Sequence, residues 1–281
     1  MIIITGQTAT GKTKLAIELA QKNNGELVNF DSRQIYQYLD IITGKDIPKT
    51  KIWLYDVVTP DQYFSSFDFV KQVTPIIEDI KKRGKTPILV GGTYLYLKHL
   101  LYGIDDNNSP PNFKLREKLN PKSVSDLQKI LIKLNKTVFE NLNHSDQLNP
   151  RRLIRKIEIL KTPTNPTKTV LNKTVFIKSV PKIFIGLRYK DKLKLRKVIE
   201  KRVEERLKNG AIEEVEKLLQ MGYKKTDLGM KTIGYQQVIK FLNKELTKEK
   251  AVEDWVNKEV QYAKRQLTFM KNDKNISWKE I

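Results

Sequence analysis

Residues 2–21 read IIITGQTATGKTKLAIELAQ, and this stretch decides the fold. Three β-branched isoleucines, Ile2 to Ile4, form a short strand. The run from Gly6 to Thr13, GQTATGKT, matches G-x-x-x-x-G-K-[ST], a loop whose backbone N–H groups and lysine cradle phosphate oxygens. From Lys12 through Gln21, Leu15, Ile17, Leu19 and Ala20 supply an apolar side, which predicts a helix. Strand, glycine loop and helix follow in the order the motif requires, because the helix N-terminus adds positive potential where the anion sits. Lys12 and Thr13 are the places for a Mg²⁺–phosphate group. The motif does not say whether that phosphate belongs to a nucleotide or to another substrate.

Working outward, strands and helices alternate. Glu26 to Ser32 (ELVNFDS) reads as a second strand ending in an acid, and Lys51 to Val57 as a third, more exposed one. Phe67 to Arg83 has helical spacing and stops at Gly84. Pro87 to Val90 is a buried-type strand that runs into Gly91-Gly92-Thr93. This order predicts an α/β fold with a mainly parallel sheet flanked by helices. Ligands of such sheets bind beyond the carboxyl ends of the strands. The glycine loop, Asp31 and Thr93 all follow strand ends, so they are expected to line one crevice.

The loop GIDDNNSPPN, 103–112, breaks the pattern. Residues 113–160 then mix apolar and basic positions at helical spacing, and a Pro/Thr/Asn-rich stretch follows. Residues 105–180 are therefore expected to be a small, mostly helical insertion. The core domain would comprise 1–104 and 181–281, with a returning strand, Lys182 to Leu187, and long helices at Lys190–Asn209, Ala211–Met221 and Lys248 to about Lys271.

Composition narrows the partners. The chain has 281 residues, no cysteine and a formal net charge of +21. Disulfides and thiolate metal sites are excluded, and no stretch approaches the roughly 20 apolar residues needed to cross a bilayer. No membrane association is expected, and with no leader recognised the expected location is cytoplasmic. The charge is uneven: residues 1–104 carry 13 basic and 10 acidic side chains, whereas 105–281 carry 40 and 22. A lysine-rich composition alone would spread evenly, so the asymmetry points to a polyanion partner, nucleic acid foremost.

Asp31 opens a block, DSRQIY, that places an acid, an amide and an aromatic beside a phosphate site. From the residues alone Asp31 is open to three readings: a metal ligand, a general base or a helix cap. Arg202, on a helix crowded with Lys197, Lys201 and Arg206, reads as one more solvated charge.

The motifs together are more specific than the loop. GQTATGKT, DSRQIY and GGTYLY (91–96), then SDQLNPRRLIRKIEIL (145–160), KRVEERL (201–207), TIGYQQV (232–238) and AKRQLTFMK (263–271), resemble in order the tRNA dimethylallyltransferase family. The resemblance covers essentially the whole chain. It departs at Gln7, where proline is usual, at Thr10 (serine or glycine), Tyr94 (glycine), Asn149 (an acid), Lys156 (alanine) and Phe269 (tryptophan).

The resemblance implies a P-loop NTPase-like core whose loop, Gly6, Gln7, Thr8, Ala9, Thr10, Gly11, Lys12 and Thr13, holds the diphosphate of dimethylallyl diphosphate. The prenyl group would pass to the exocyclic amine of the adenosine immediately 3′ of the anticodon, releasing diphosphate. Asp31, Thr13 and Arg202 would be catalytic, with Mg²⁺ as cofactor on Thr13. Asp31, Ser32, Arg33, Gln34 and Thr93 would read the base. Arg151, Arg152, Lys264, Arg265 and, on weaker grounds, Arg116 would hold the tRNA anticodon stem-loop. No protein partner is evident, and a monomer is expected.

Two other functions compete with this reading. An ATP-dependent small-molecule P-loop kinase accounts for residues 1–100 but leaves the charge of the remainder idle, and no arginine-rich lid is identifiable. A non-catalytic RNA-binding protein predicts a degraded site, yet Lys12, Thr13 and Asp31 are intact. His99 and His144 are scattered and suggest no metal cluster.

Overall fold

The computed structural model of the chain describes residues 1–45, 51–103, 111–162 and 181–281. The chain forms two compact units, one of Met1–Tyr102 with Phe176–Ile281 and one of Gly103–Val175.

In the first unit six strands form one sheet: β1 (Ile2–Gly6), β2 (Gly25–Asn29), β3 (Ile52–Trp53), β4 (Thr86–Val90), β5 (Ile183–Arg188) and β6 (Ser277–Glu280). Their order is β3-β2-β4-β1-β5-β6, and every pairing is parallel. The central strands are apolar throughout because helices cover both faces. Ile3, Ile4, Leu27, Val28, Ile88 and Leu89 have no exposed surface. The order matters for the site. Neighbours β2, β4 and β1 end side by side, with Asn29 opposite Val90 and Val90 opposite Ile4. The loops after them are thereby brought together.

Helix α1 (Lys12–Lys22) starts at the glycine loop, with Gly11 in the left-handed region at its N-cap. Small Ala16 and Ala20 are its buried residues, while Leu15, Ile17 and Leu19 pack at the margin. Alanine lets the helix approach the sheet closely, a role the apolar pattern does not distinguish from that of leucine. Helix α2 (Ser66–Lys82) begins with a capping box: Asp68 N–H donates to Ser65 Oγ, and Ser65 N–H donates to Asp68 Oδ2. Helix α3 (Tyr94–Tyr102) follows β4.

The third strand is shorter than the expected Lys51–Val57. After Trp53, Leu54 and Asp56 take φ values of 66° and 57°, which turn the chain out of the extended conformation.

The second unit holds α4 (Phe113–Leu119), α5 (Val124–Leu134), α6 (Lys136–Glu140), α7 (His144–Gln147) and α8 (Pro150–Lys161). Asn112, Ser123, Asn135, Asn143 and Asn149 cap these helices through their side chains. Leu119, Leu127, Leu131, Leu153, Ile154 and Ile157 form its core, each fully buried side chain contributing about 1.5–3 kcal/mol. Glu158 is also buried there. It accepts two bonds from Arg116 and one each from Arg155 and the Asn112 N–H. Burial alone would raise its pKa, but the hydrogen bonds from Arg116, Arg155 and the Asn112 N–H hold it below the usual carboxylate range.

Beyond β5 the first unit continues with α9 (Lys192–Lys208), α10 (Ala211–Gln220), α11 (Tyr235–Leu242) and α12 (Lys248–Met270). The TIGYQQV stretch is largely interior: Thr232, Tyr235, Gln237 and Val238 are buried. Helix α12 has 23 residues, and its buried positions Trp255, Glu259, Ala263, Gln266 and Met270 recur every three to four residues. They form one long face, from which Ala263 and Gln266 meet the loops after β1 and β4.

Candidate active site

The glycine loop is pinned from below. At Gly6, φ is +133° and a Cβ would lie 2.1 Å from the Leu187 carbonyl oxygen, so only glycine fits where β1 passes the end of β5. Thr10 Oγ1 and Lys12 Nζ both donate to the Gln7 carbonyl, at 2.8 and 2.6 Å. Ala9, with φ 63°, is a non-glycine residue in the left-handed region, strain of a kind concentrated at functional loops.

Gln7, where the resemblance expected proline, is almost wholly buried. Its Oε1 accepts from the Tyr189 N–H at 2.9 Å and its Nε2 donates to the Ala263 carbonyl at 3.3 Å. The side chain thus anchors the loop to α12 and stays out of the cleft above the loop. A cleft of about 450 Å³ opens above the loop, lined by the run Thr8 to Thr13 together with Asp31, Gln34 and Arg202. Gly6 and Gln7 lie beneath this lining.

Arg202 is drawn into the site. Its Nη1 donates to Thr8 Oγ1 at 2.9 Å. One turn on, Arg206 is buried and faces Glu259 at 3.3 Å. Burial, and then the neighbouring Arg202 charge, pull Arg206 down to about 10, so it remains charged at neutral pH. Of the two guanidinium groups on this helix, Arg202 lines the cleft, whereas Arg206 is buried against Glu259.

Asp31 sits just beyond β2. Its N–H donates to Asn29 Oδ1, its Oδ1 accepts from the Arg33 N–H at 3.0 Å, and its carbonyl accepts from the Gln34 N–H. These bonds make a tight turn that holds one carboxylate oxygen and leaves Oδ2 facing Gly92. Gln34 turns toward the phosphate cleft, donating from Nε2 to the Gly44 carbonyl at 2.9 Å. Ser32 turns the other way, toward Thr93. The Ser32 N–H donates to Thr93 Oγ1 at 2.9 Å, and Thr93 Oγ1 donates to Ser32 Oγ at 3.0 Å.

A second, more apolar cleft of about 590 Å³ lies on that side. Ser32, Arg33, Thr93, Tyr94, Lys264 and Phe269 are among its walls. Arg33 lies over the Tyr262 ring at 4.5 Å. Burial, and then the Asp31 charge, push the Tyr262 hydroxyl up to about 12, so it stays protonated. Tyr94 and Phe269, two of the departures noted above, meet edge to face at 5.5 Å. Tyr262 and Gln266 line both clefts and so stand between them. Lys264 and Arg265 are exposed at the rim of the second cleft.

Within the helical unit, Arg151 and Arg152 are exposed on the first turn of α8, and Asn149 caps that turn with the oxygen that an acid would supply. Arg116 is placed differently. Its guanidinium is engaged by the buried Glu158, whose charge would lose its two-pronged partner if Arg116 were removed. Arg116 works first as a structural group of that unit.

The model of the IPP transferase family matches residues 34–273. The chain belongs to the IPP transferase family. It is 36% identical, over all of its length and 91% of the relative's, to a tRNA dimethylallyltransferase of Clostridioides difficile. It is 35% identical to one from a Thermoanaerobacter species, over 99% of this chain and 90% of the relative. Among solved structures, the tRNA isopentenylpyrophosphate transferase of Bacillus halodurans superposes with a TM-score of 0.71 at 30% identity, covering 99% of this chain and 89% of the other. A eukaryotic dimethylallyltransferase acting on tRNA gives 0.79 at 27% identity, covering 100% and 73%.

In this IPP transferase, sequence reasoning missed Tyr262, Gln266 and the Arg206–Glu259 pair. The stretch AKRQLTFMK contained the signal for Gln266: a polar residue on the buried face of α12, four residues after Tyr262. Among the described residues no helix is long and apolar enough to cross a membrane.

Proposed function

We propose that the protein transfers a dimethylallyl group from dimethylallyl diphosphate to the exocyclic amine of the tRNA adenosine immediately 3′ of the anticodon. The observation that carries this reading is the pair of clefts meeting at Tyr262 and Gln266: one floored by the glycine loop with Asp31 in its wall, the other apolar and rimmed by cations. The names and full-length similarity of the relatives support it.

The diphosphate lies on the loop amides of Ala9 to Thr13, with Lys12 and Arg202 on its oxygens. The target base is drawn from its RNA loop into the second cleft, where Ser32, Arg33 and Thr93 meet its edges. The amine nitrogen bonds to the first carbon of the prenyl group as that carbon's bond to the diphosphate oxygen breaks. The amine proton passes to Asp31, and the electron pair of the broken bond leaves with the diphosphate. Lys12 and Arg202 stabilise the charge that develops there.

The oxygen donors of the first cleft suit a hard cation: Thr13 at the start of α1 and the Asp31 carboxylate share its lining, and Mg²⁺ takes few protein oxygens when phosphate supplies others. Thr13 would hold it, and the ion would neutralise diphosphate charge. A cytoplasmic monomer is part of the same proposal.

The direct test supplies purified protein, Mg²⁺, dimethylallyl diphosphate and tRNA, and measures diphosphate release and prenylated adenosine by nucleoside mass spectrometry. Both products appear together, and only with tRNA present. Rapid ATP hydrolysis with phosphorylation of a small molecule, and no prenyl transfer, would favour a kinase instead.

The exposed cations form the RNA clamp in this proposal. Replacing Arg151 and Arg152 together, or Lys264 and Arg265 together, weakens tRNA binding. Each lost phosphate contact lowers the slope of log affinity against log salt by about 0.7–0.9. The rate at saturating tRNA changes far less. A pair whose loss leaves both affinity and slope unchanged is ordinary solvated surface.

A further inference from the structure

We propose that Gln266 is a positioning residue that sets the spacing between the phosphate loop and the base-side loop. The inference rests on the prenyl-transfer reading above. Gln266 is 6% exposed on the buried face of α12. Its Oε1 accepts from the Thr8 N–H at 2.8 Å, and its Nε2 donates to the Gly92 carbonyl at 3.1 Å. One side-chain amide thus joins two loops that leave neighbouring strands, β1 and β4.

Both ends of the bridge adjoin groups that the reaction uses. Thr8 is the residue that receives the Arg202 hydrogen bond. Gly92 precedes Thr93, which holds Ser32. The fit has no slack: a Cβ at position 92 would lie 2.2 Å from Gln266 Nε2 and 3.3 Å from Asp31 Oδ2. Residue 92 is glycine because the amide and the catalytic carboxylate both crowd it.

The chemistry of the bridge requires a donor and an acceptor on one planar group. A primary amide supplies both, a carboxylate only the acceptor, and leucine neither. Asparagine has both but is one methylene short. The helix beneath is a rigid support, because it also grips the site at other points along the same face. The Ala263 carbonyl accepts from Gln7 Nε2, and Met270 Sδ accepts from Thr5 Oγ1. Group transfer is sensitive to such spacing: a displacement of about 1 Å can lower the rate about 10²-fold.

The experiment compares wild type, Gln266→Leu and Gln266→Glu by single-turnover prenyl transfer at saturating substrates, calorimetric binding of inorganic diphosphate and of tRNA, and thermal melting. The expected result is a saturating rate lowered by about 10- to 100-fold in Gln266→Leu. Gln266→Glu, which keeps the acceptor toward Thr8 but sets a carboxylate oxygen against the Gly92 carbonyl, falls at least as far. Diphosphate and tRNA affinities change by less than about threefold, because each cleft keeps its own ligands. Should the leucine variant not fold, the glutamate variant decides the matter by the same criteria.

A lower melting temperature with an unchanged saturating rate overturns the proposal, since that is what a purely structural amide would give. So does a rate loss matched by an equal loss of diphosphate or tRNA affinity, which would confine Gln266 to one cleft. If wild type itself transfers no prenyl group, the functional reading fails and this role fails with it. If wild type is active and both variants match it, only the role of Gln266 fails.

Discussion

Asp31→Asn lowers the saturating rate of prenyl transfer by about 10²- to 10⁴-fold, the usual loss when a general base is removed. The substitution is nearly isosteric. An asparagine Oδ1 can still accept from the Arg33 N–H, as Asp31 does at 3.0 Å, so the turn after β2 keeps its shape. The variant lacks an oxygen able to take the amine proton as the new C–N bond forms. Affinity for tRNA is largely preserved, because phosphate contacts elsewhere dominate it. Single-turnover kinetics with separately measured tRNA binding check this. Near-normal turnover in Asp31→Asn would remove Asp31 from the proton path.

Arg202→Met lowers the same rate by about 10²- to 10³-fold, comparable to losing one donor aimed at developing charge. Arg202 reaches the loop at Thr8 Oγ1 from a helix whose next guanidinium, Arg206, is buried against Glu259. That neighbour is committed elsewhere and does not replace it. Arg202→Lys recovers part of the rate, because a point charge remains while the planar fork is lost. The measurement that separates binding from chemistry is the affinity for inorganic diphosphate beside the single-turnover rate. A weaker affinity with an unchanged saturating rate would make Arg202 a ground-state binding group and not part of the chemistry.

Several features needed no tertiary structure to be read. The strand, glycine loop and helix at the start of the chain were legible because the glycines and the apolar spacing fix the backbone locally, and the loop lies at the carboxyl end of β1. The acid after the second strand followed from the rule that such sheets bind at their carboxyl ends, but the threonine after the fourth, expected in the same crevice, lines the second cleft because it pairs with Ser32 on that side. The long helices expected at Lys190–Asn209, Ala211–Met221 and Lys248 to about Lys271 form at Lys192–Lys208, Ala211–Gln220 and Lys248–Met270, and the structure adds the caps Asp191 and Thr247.

Tertiary structure decided which side chains meet. Periodicity tells which face of α12 is buried but not what lies across from it. The partners of Gln266 are 258 and 174 residues away in sequence, and no local signal spans that distance. Arg116 looked like other cations until Glu158 was found beside it, 42 residues on. Gln34 and Ser32, two residues apart in one motif, face different clefts because a tight turn at Asp31 separates them. The third strand ended early because Leu54 and Asp56 adopt left-handed backbone, which alternation of apolar residues does not encode. Backbone preferences and apolar spacing act over a few residues and are written in the local sequence. Pairing of buried polar groups is set by where the whole chain brings them, and only the folded protein shows it.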